Sequence, residues 1–204
     1  MEAQERGPHP CAAVEIIETG AGATRPFEMI QEVLRQAELE REQVESLAVG
    51  LGPGSYTGIR AAIAVAQGWQ FARGIKLLGI SSAEGIAAQA RTEGLTGPVT
   101  IAIDAQREEF YITRFEIGPE QRRQVEPLRL ATLTDVQERL QAGEVLIGPE
   151  VKRWFREGRP VFPRAGIIAQ LAVSRTDFVR GEELKPIYLR QTSFVKAPPP
   201  RVIP

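Results

Sequence analysis

Residues 44–81 read VESLAVGLGPGSYTGIRAAIAVAQGWQFARGIKLLGIS: an apolar strand pattern running straight into a glycine loop, then a long apolar helix, then a second apolar strand. A strand or helix buries its apolar side only against another element, so this order predicts an α/β layered fold. The flanking segments extend the alternation. CAAVEII (11–17) reads as a strand and the glycines after it as a loop. RPFEMIQEVLRQAELE then places Phe27, Ile30, Leu34 and Ala37 on one helical face, with Met29 and Val33 beside it. Thr24 is the candidate N-cap there, and Pro26 falls in the first turn, where its missing N–H costs little. Ser81 and Glu84 have capping-box spacing for the helix SAEGIAAQAR.

The loop GLGPGSYTGIR (50–60) contains four glycines. It lies where a strand meets a helix, so backbone N–H groups and the helix dipole there suit an anion. It is not a Walker loop, because Ile59 and Arg60 follow Gly58, and the spacing of Gly52, Gly54 and Gly58 is one residue too long for a dinucleotide fingerprint. Gly52, Gly54, Ser55, Thr57 and Gly58 are the candidate phosphate-loop residues. The competing reading is steric glycine in a tight turn, with Ser55 or Thr57 as N-cap. In the helix that follows, Gly58, Ala62 and Ala66 recur every four residues as a strip without bulk, beside Ile59, Ile63 and Trp69. Two readings stay open for this strip: packing on the protein's own sheet, or an interface with another chain shared with the Phe27–Leu34 face. Tyr56, at the crest of the loop, suits an anchor in a partner's pocket or a ring folded back on its own chain. A helix so apolar on all sides needs cover on all sides.

After the turn-rich EGLTGP near residue 95 the pattern changes. VTIAIDAQREEFYITRFEIG predicts two strands joined by a polar turn at Ala105–Glu108. TLTDVQERLQAGE predicts a helix with Thr134 and Gln137 in capping-box spacing, EVLIGPE a strand, PRAGIIAQLAVSR an apolar helix and ELKPIYLRQ an extended segment. Four prolines among the last seven residues predict a solvated or partner-wrapping tail. The expected division is 1–97 and 98–204, with the last segment returning to the first part.

Composition removes several function classes. With 25 Lys and Arg against 26 Asp and Glu, a net charge of -1 supplies no general attraction to nucleic acid or an anionic membrane. No stretch reaches the roughly twenty apolar residues of a membrane span. The first residues lack the basic start and apolar core of a secretion signal, so the chain reads as cytoplasmic. The single histidine, His9, cannot build an HExxH zinc site, and Cys11 as a nucleophile would need that same histidine. Asp104, Glu108 and Glu109 near a hairpin turn suit Mg²⁺ or, more simply, solvated turn charges. Arg60 and Arg107 suit phosphate, an acidic partner or surface ion pairs.

Residues 50–87, together with IDAQREEFYI and PIYLR, resemble the TsaB (YeaZ) family, the bacterial accessory subunit of tRNA threonylcarbamoyladenosine synthesis. The likeness runs from Thr24 to Arg190 and is weakest between Gly118 and Arg180. It implies an actin-like (ASKHA) α/β fold of two lobes. It also implies a non-catalytic scaffold that pairs with the transferase subunit TsaD, associates with the ATPase TsaE, self-dimerises when alone and meets tRNA only indirectly. No cofactor of its own is implied, ATP and Mg²⁺ belonging to the assembled complex. The resemblance and the apolar faces together make Phe27, Ile30, Leu34, Tyr56, Ile59, Ala62, Ile63, Ala66 and Trp69 the candidate partner-binding residues. The alternative is a stand-alone ASKHA-type ATPase or phosphotransferase using the glycine loop and Asp104. One departure stands out. Where family members begin with an apolar strand and phosphate-loop turn, this chain has MEAQERGPHP, so that strand is expected to be absent or diverged and stability to lean on a partner or dimer.

Overall fold

The structure, a computed structural model, describes residues 14–17 and 25–189. His9, Cys11, Thr24, the segment before the first expected strand and the proline-rich tail lie outside the described residues.

The strand–loop–helix–strand unit forms as its pattern requires. β1 (Ser46–Gly50) and β2 (Lys76–Ile80) pair in parallel, Leu47 opposite Leu77, and the crossover between them is α2 (Tyr56–Arg73). Parallel strands need such a long connection, and here the glycine loop launches it while Gly74, at φ +68°, ends it in the left-handed conformation. α2 lays Ile63 and Ala66 on one face of this small sheet, packed with Val49, Ile75 and Leu77. The helix α6 (Ala165–Val173), far downstream, covers the other face, where Ile168 meets Leu78 and Ile80. The extended residues after α6 return as well: the Val179 N–H donates to the Leu77 carbonyl, and Leu184 is buried in the α2 core. α1 (Pro26–Gln36) precedes this unit.

α3 (Ser82–Thr92) is small and apolar, and buries every residue from Gly85 to Ala90. It leads into a five-stranded sheet ordered β5-β4-β3-β6-β7. Its strands are β3 (Gly97–Asp104), β4 (Glu109–Ile117), β5 (Arg122–Thr132), β6 (Val145–Gly148) and β7 (Arg159–Pro160), with α4 (Leu133–Gln141) and α5 (Val151–Trp154) in the connections. β3, β4 and β5 form an antiparallel meander, while β6 runs parallel to β3. Alternation along β3 sends Ile101 and Ile103 toward α3 and Ala102 toward α4 and α5, so both faces are covered.

Several expectations need correcting. Residues 14–17 form no strand; Glu15 instead accepts hydrogen bonds from Arg164 Nε (2.8 Å) and the Gly166 N–H (3.2 Å) at the start of α6. Arg25, not an upstream threonine, occupies the N-cap position of α1. Ser81 does cap α3, accepting from the Ala83 N–H, but Glu84 closes no box because its carboxylate is held by Arg122 and Arg175. The real capping box before α4 is Thr132 with Asp135, two residues earlier than Thr134 and Gln137. Among the described residues α2 is covered on one side only.

An ion-pair network ties the β5 edge to α4. Arg139, mostly buried, donates to Glu126 at 2.6 Å and to Glu144 at 3.2 Å, and the Thr100 hydroxyl also donates to Glu144. The Arg139 hydrogen bond holds the Glu126 carboxyl below its ordinary value. Its contribution is therefore full above the unfolded carboxylate range near 4.5 and is lost as pH falls through the lower folded value. Arg139→Leu should cost about 1–3 kcal/mol at pH 7, by removing the cation shared by Glu126 and Glu144 and leaving Glu126 only the longer pair with Arg114, and clearly less at pH 3. Urea melts of both proteins at the two pH values check this.

Candidate protein-docking surface

The glycine loop is shaped by close packing. Gly52 is buried at φ +87°, and a Cβ there would stand 2.6 Å from Ile59 Cδ1. Its carbonyl accepts from the Ser82 N–H at 2.8 Å, and the neighbouring Leu51 carbonyl accepts from the Ile187 N–H at 2.9 Å. Gly54, Ser55 and Thr57 are exposed at the entrance to α2. The Ser55 hydroxyl is engaged as the N-cap, accepting from the Gly58 N–H at 3.2 Å. Capping satisfies one of the donors that a helix start leaves open.

Tyr56 has a partner that the sequence did not disclose. Its ring stacks on Tyr188 with centroids 5.7 Å apart, the Arg60 guanidinium lies 4.1 Å over the Tyr56 ring, and Arg60 Nε donates to the Tyr188 hydroxyl at 3.1 Å. That hydrogen bond raises the pKa of Arg60 further. The glycine loop and the PIYLR segment, well separated in sequence, thus meet in one aromatic and cationic cluster, with Tyr56 still 56% exposed. A preformed, exposed ring of this kind suits insertion into a partner at little ordering cost.

The helix faces divide differently from the sequence expectation. Ile63 (6% exposed) and Ala66 (1%) belong to the molecule's own core, and Ile59 and Trp69 pack against that core half-buried, so these four serve the packing reading. Along the strip Gly58 is half-buried, Ala62 exposed and Ala66 buried, so of the three only Ala62 lies on the surface. Besides Ala62, the small residues that face outward are Ala64, Gly68 and Ala72, again every four positions. Beside them Phe71 is 96% exposed. Phe71 follows Arg60 by eleven positions, close to three turns at about 3.6 residues per turn, which puts it on the arginine's face and not on that of Ile63. That spacing was the available signal. In α1 no residue is buried: Phe27 is 70% exposed, and Ile30 and Leu34 are half-buried. Among the described residues both helices thus keep exposed apolar side chains, the kind of surface that protein docking sites present.

Gly68 sits mid-helix with open space where a Cβ would stand. Gly68→Ala should therefore stabilise the free chain by about 0.5–1 kcal/mol through helix propensity, while adding bulk to the outward strip. Thermal melts check the first effect.

Residues 24–180 match the family model described as TsaD, tRNA N6-adenosine threonylcarbamoyltransferase. The tRNA threonylcarbamoyladenosine biosynthesis protein TsaB of Escherichia coli is 28% identical over an alignment covering 81% of this chain and 79% of that protein. The TsaB protein of Haemophilus influenzae is 37% identical over 44% of this chain and 38% of its own length. The solved structure of YeaZ from Pseudomonas aeruginosa superimposes with a TM-score of 0.67 at 27% identity, covering 81% of this chain and 84% of that one. With these matches the α/β architecture described above is the actin-like (ASKHA) one. The chain belongs to the TsaD-type threonylcarbamoyltransferase family and is a TsaB/YeaZ member of it.

Proposed function

We propose that this chain is an accessory subunit of tRNA threonylcarbamoyladenosine biosynthesis, binding and activating a TsaD-type transferase while making no bonds itself. Its family membership supports the pathway. The observation that carries the scaffold reading is the pair of unpaired apolar faces: α1 without one buried residue, and Phe71 standing out from α2. A scaffold works by differential affinity, stabilising the active arrangement of the enzyme it binds, and needs no catalytic residue. The family likeness also gives the interface a simple form. Two sister subunits of one fold can pair through equivalent helix faces, as two copies of this chain would in a homodimer. Homodimer and heterodimer then compete for one surface. A TsaE-like ATPase joins the assembled complex, tRNA is met chiefly by the transferase, and any ATP and Mg²⁺ act within that complex.

Mixing the purified chain with its cognate TsaD-type subunit and measuring mass by light scattering tests the reading. A one-to-one complex that replaces homodimer is expected. Absence of association, or substrate turnover by the isolated chain, would overturn it.

A further inference from the structure

A cleft of about 250 Å³ opens where α3, α6 and the first residue of β5 meet. Its polar lining is Glu84, Arg91, Thr92, Arg122, Gln170, Ser174 and Arg175. Three guanidinium groups thus face one carboxylate, in a chain whose net charge is only -1. Glu84 bridges two of them, 3.1 Å from Arg122 and 3.3 Å from Arg175, and Arg175 is further tied to Asp177. Arg91 and Arg122 remain underused. Among the described residues Arg91 donates to the Glu120 carbonyl at 2.6 Å and Arg122 donates to Glu84, although each guanidinium carries five N–H donors. The Arg122 side chain is mostly buried, and its Nε is a buried donor without an acceptor among the described residues. With Nε sealed from solvent, an anion in the cleft can meet the Arg122 guanidinium only through its other N–H groups, as it can that of Arg91, and there it supplies acceptors to a partly desolvated cation.

We propose that this cleft is a binding site for a small phosphoryl anion, held by Arg91 and Arg122, with the Glu84 carboxylate competing for the same guanidinium donors. Guanidinium donors match phosphate oxygens in paired hydrogen bonds, and a partly buried setting strengthens the attraction over that at an open surface. The volume equals roughly eight waters at about 30 Å³ each, enough for a phosphate or pyrophosphate group and less than a drug-sized pocket. A nucleoside attached to such a group would project from the mouth. None of the lining belongs to the glycine loop, α1 or α2, and Arg122 pairs with Ile117, at the far end of the β3–β4 hairpin from Asp104. The site is therefore separate from the docking surface, and the inference stands independently of the proposed function.

Calorimetric titration of the full chain at low ionic strength tests it, with inorganic pyrophosphate in one arm and adenosine monophosphate in the other. Saturable binding is expected, weakened about tenfold or more in Arg91→Gln and strengthened in Glu84→Gln, which removes the one repelling carboxylate without removing a cation. Tighter binding of pyrophosphate assigns the site to an inorganic anion, and tighter binding of the nucleotide assigns it to a phosphate ester; both support the site. Phosphorus NMR line broadening in the same variants supplies a second readout. Failure of both probes to saturate at millimolar concentration, or equal affinities in parent, Arg91→Gln and Glu84→Gln, overturns the proposal.

Discussion

Phe71→Asp should weaken binding to the cognate TsaD-type subunit by about thirty- to a thousandfold while leaving the thermal midpoint of the monomer, compared at concentrations too low for self-association, essentially unchanged. Aromatic anchors buried at the centre of an interface carry about 2–4 kcal/mol each, and a carboxylate in the same place adds the cost of an unpaired buried charge. The free chain does not register the change because Phe71 makes almost no internal contact at 96% exposure. Phe27→Asp on α1 should act in the same direction, its ring being 70% exposed. If homodimer and heterodimer share the surface, both substitutions also convert the isolated dimer to monomer. Ile63→Asp makes the necessary contrast. It too would abolish binding, but by unfolding the α2 core, and its lost thermal transition would separate the two causes. Parent-like affinity in Phe71→Asp and Phe27→Asp together would remove these helices from the interface.

Gly148→Ala should destabilise the chain by about 3 kcal/mol or more, a large fraction of the stability of an ordinary domain. Gly148 ends β6, alongside the central strand β3, and an added Cβ would lie 1.9 Å from the Ala102 carbonyl oxygen and 3.1 Å from Val151 Cγ1. The first neighbour is backbone of the central strand, paired along its length with β4 and through Val99–Ile101 with β6, so relief requires β3 and β6 to separate and not merely a rotamer change. A substitution of the same size at Gly68 has the opposite sign, because nothing stands near its Cβ position. Chemical denaturation of the two variants beside the parent reads this difference directly; a Gly148→Ala protein with parent stability would mean that the strands are not packed as described.

The strand–loop–helix–strand unit was legible because its residues are contiguous and its punctuation, from Gly50 to Gly58 and again at Gly74, coincides with turns that need it. β5 was not. Its sequence RRQVEPLRLAT is polar and half-exposed at the sheet edge, and Pro127 argues against a strand until one sees that it falls in the irregular pairing beside Thr113, where a missing N–H is tolerated. The capping box was misplaced by two residues because Thr132 and Thr134 carry the same hydroxyl. Only the end of β5 determines which one starts the helix.

For the candidate surface, periodicity singled out α1 and α2, and of the α2 residues it named, Tyr56 and Ala62 are exposed while Ile63 and Ala66 are buried. Ile63 and Ala66 face inward because β1 and β2 lie on that side, a fact carried by pairing between strands and not by the helix itself. Tyr188 and the arginine cleft were silent for a related reason. Tyr56 meets a residue 132 positions away, by the difference of their numbers, and Glu84 gathers arginines from two other elements. No local pattern encodes such meetings.

The seating of α6 and residues 179–184 against β1 and β2 bears on how the polypeptide is born. A ribosome delivers β2 long before Ile168 and Leu184, so one side of the emerging strand pair stays bare until the late segments arrive. Closure over so long a stretch of chain is slow, and an unsealed strand pair invites wrong company in the interval. Nascent polypeptides stalled before Ala165 should therefore linger on holdase chaperones, and release should coincide with synthesis of that last helix.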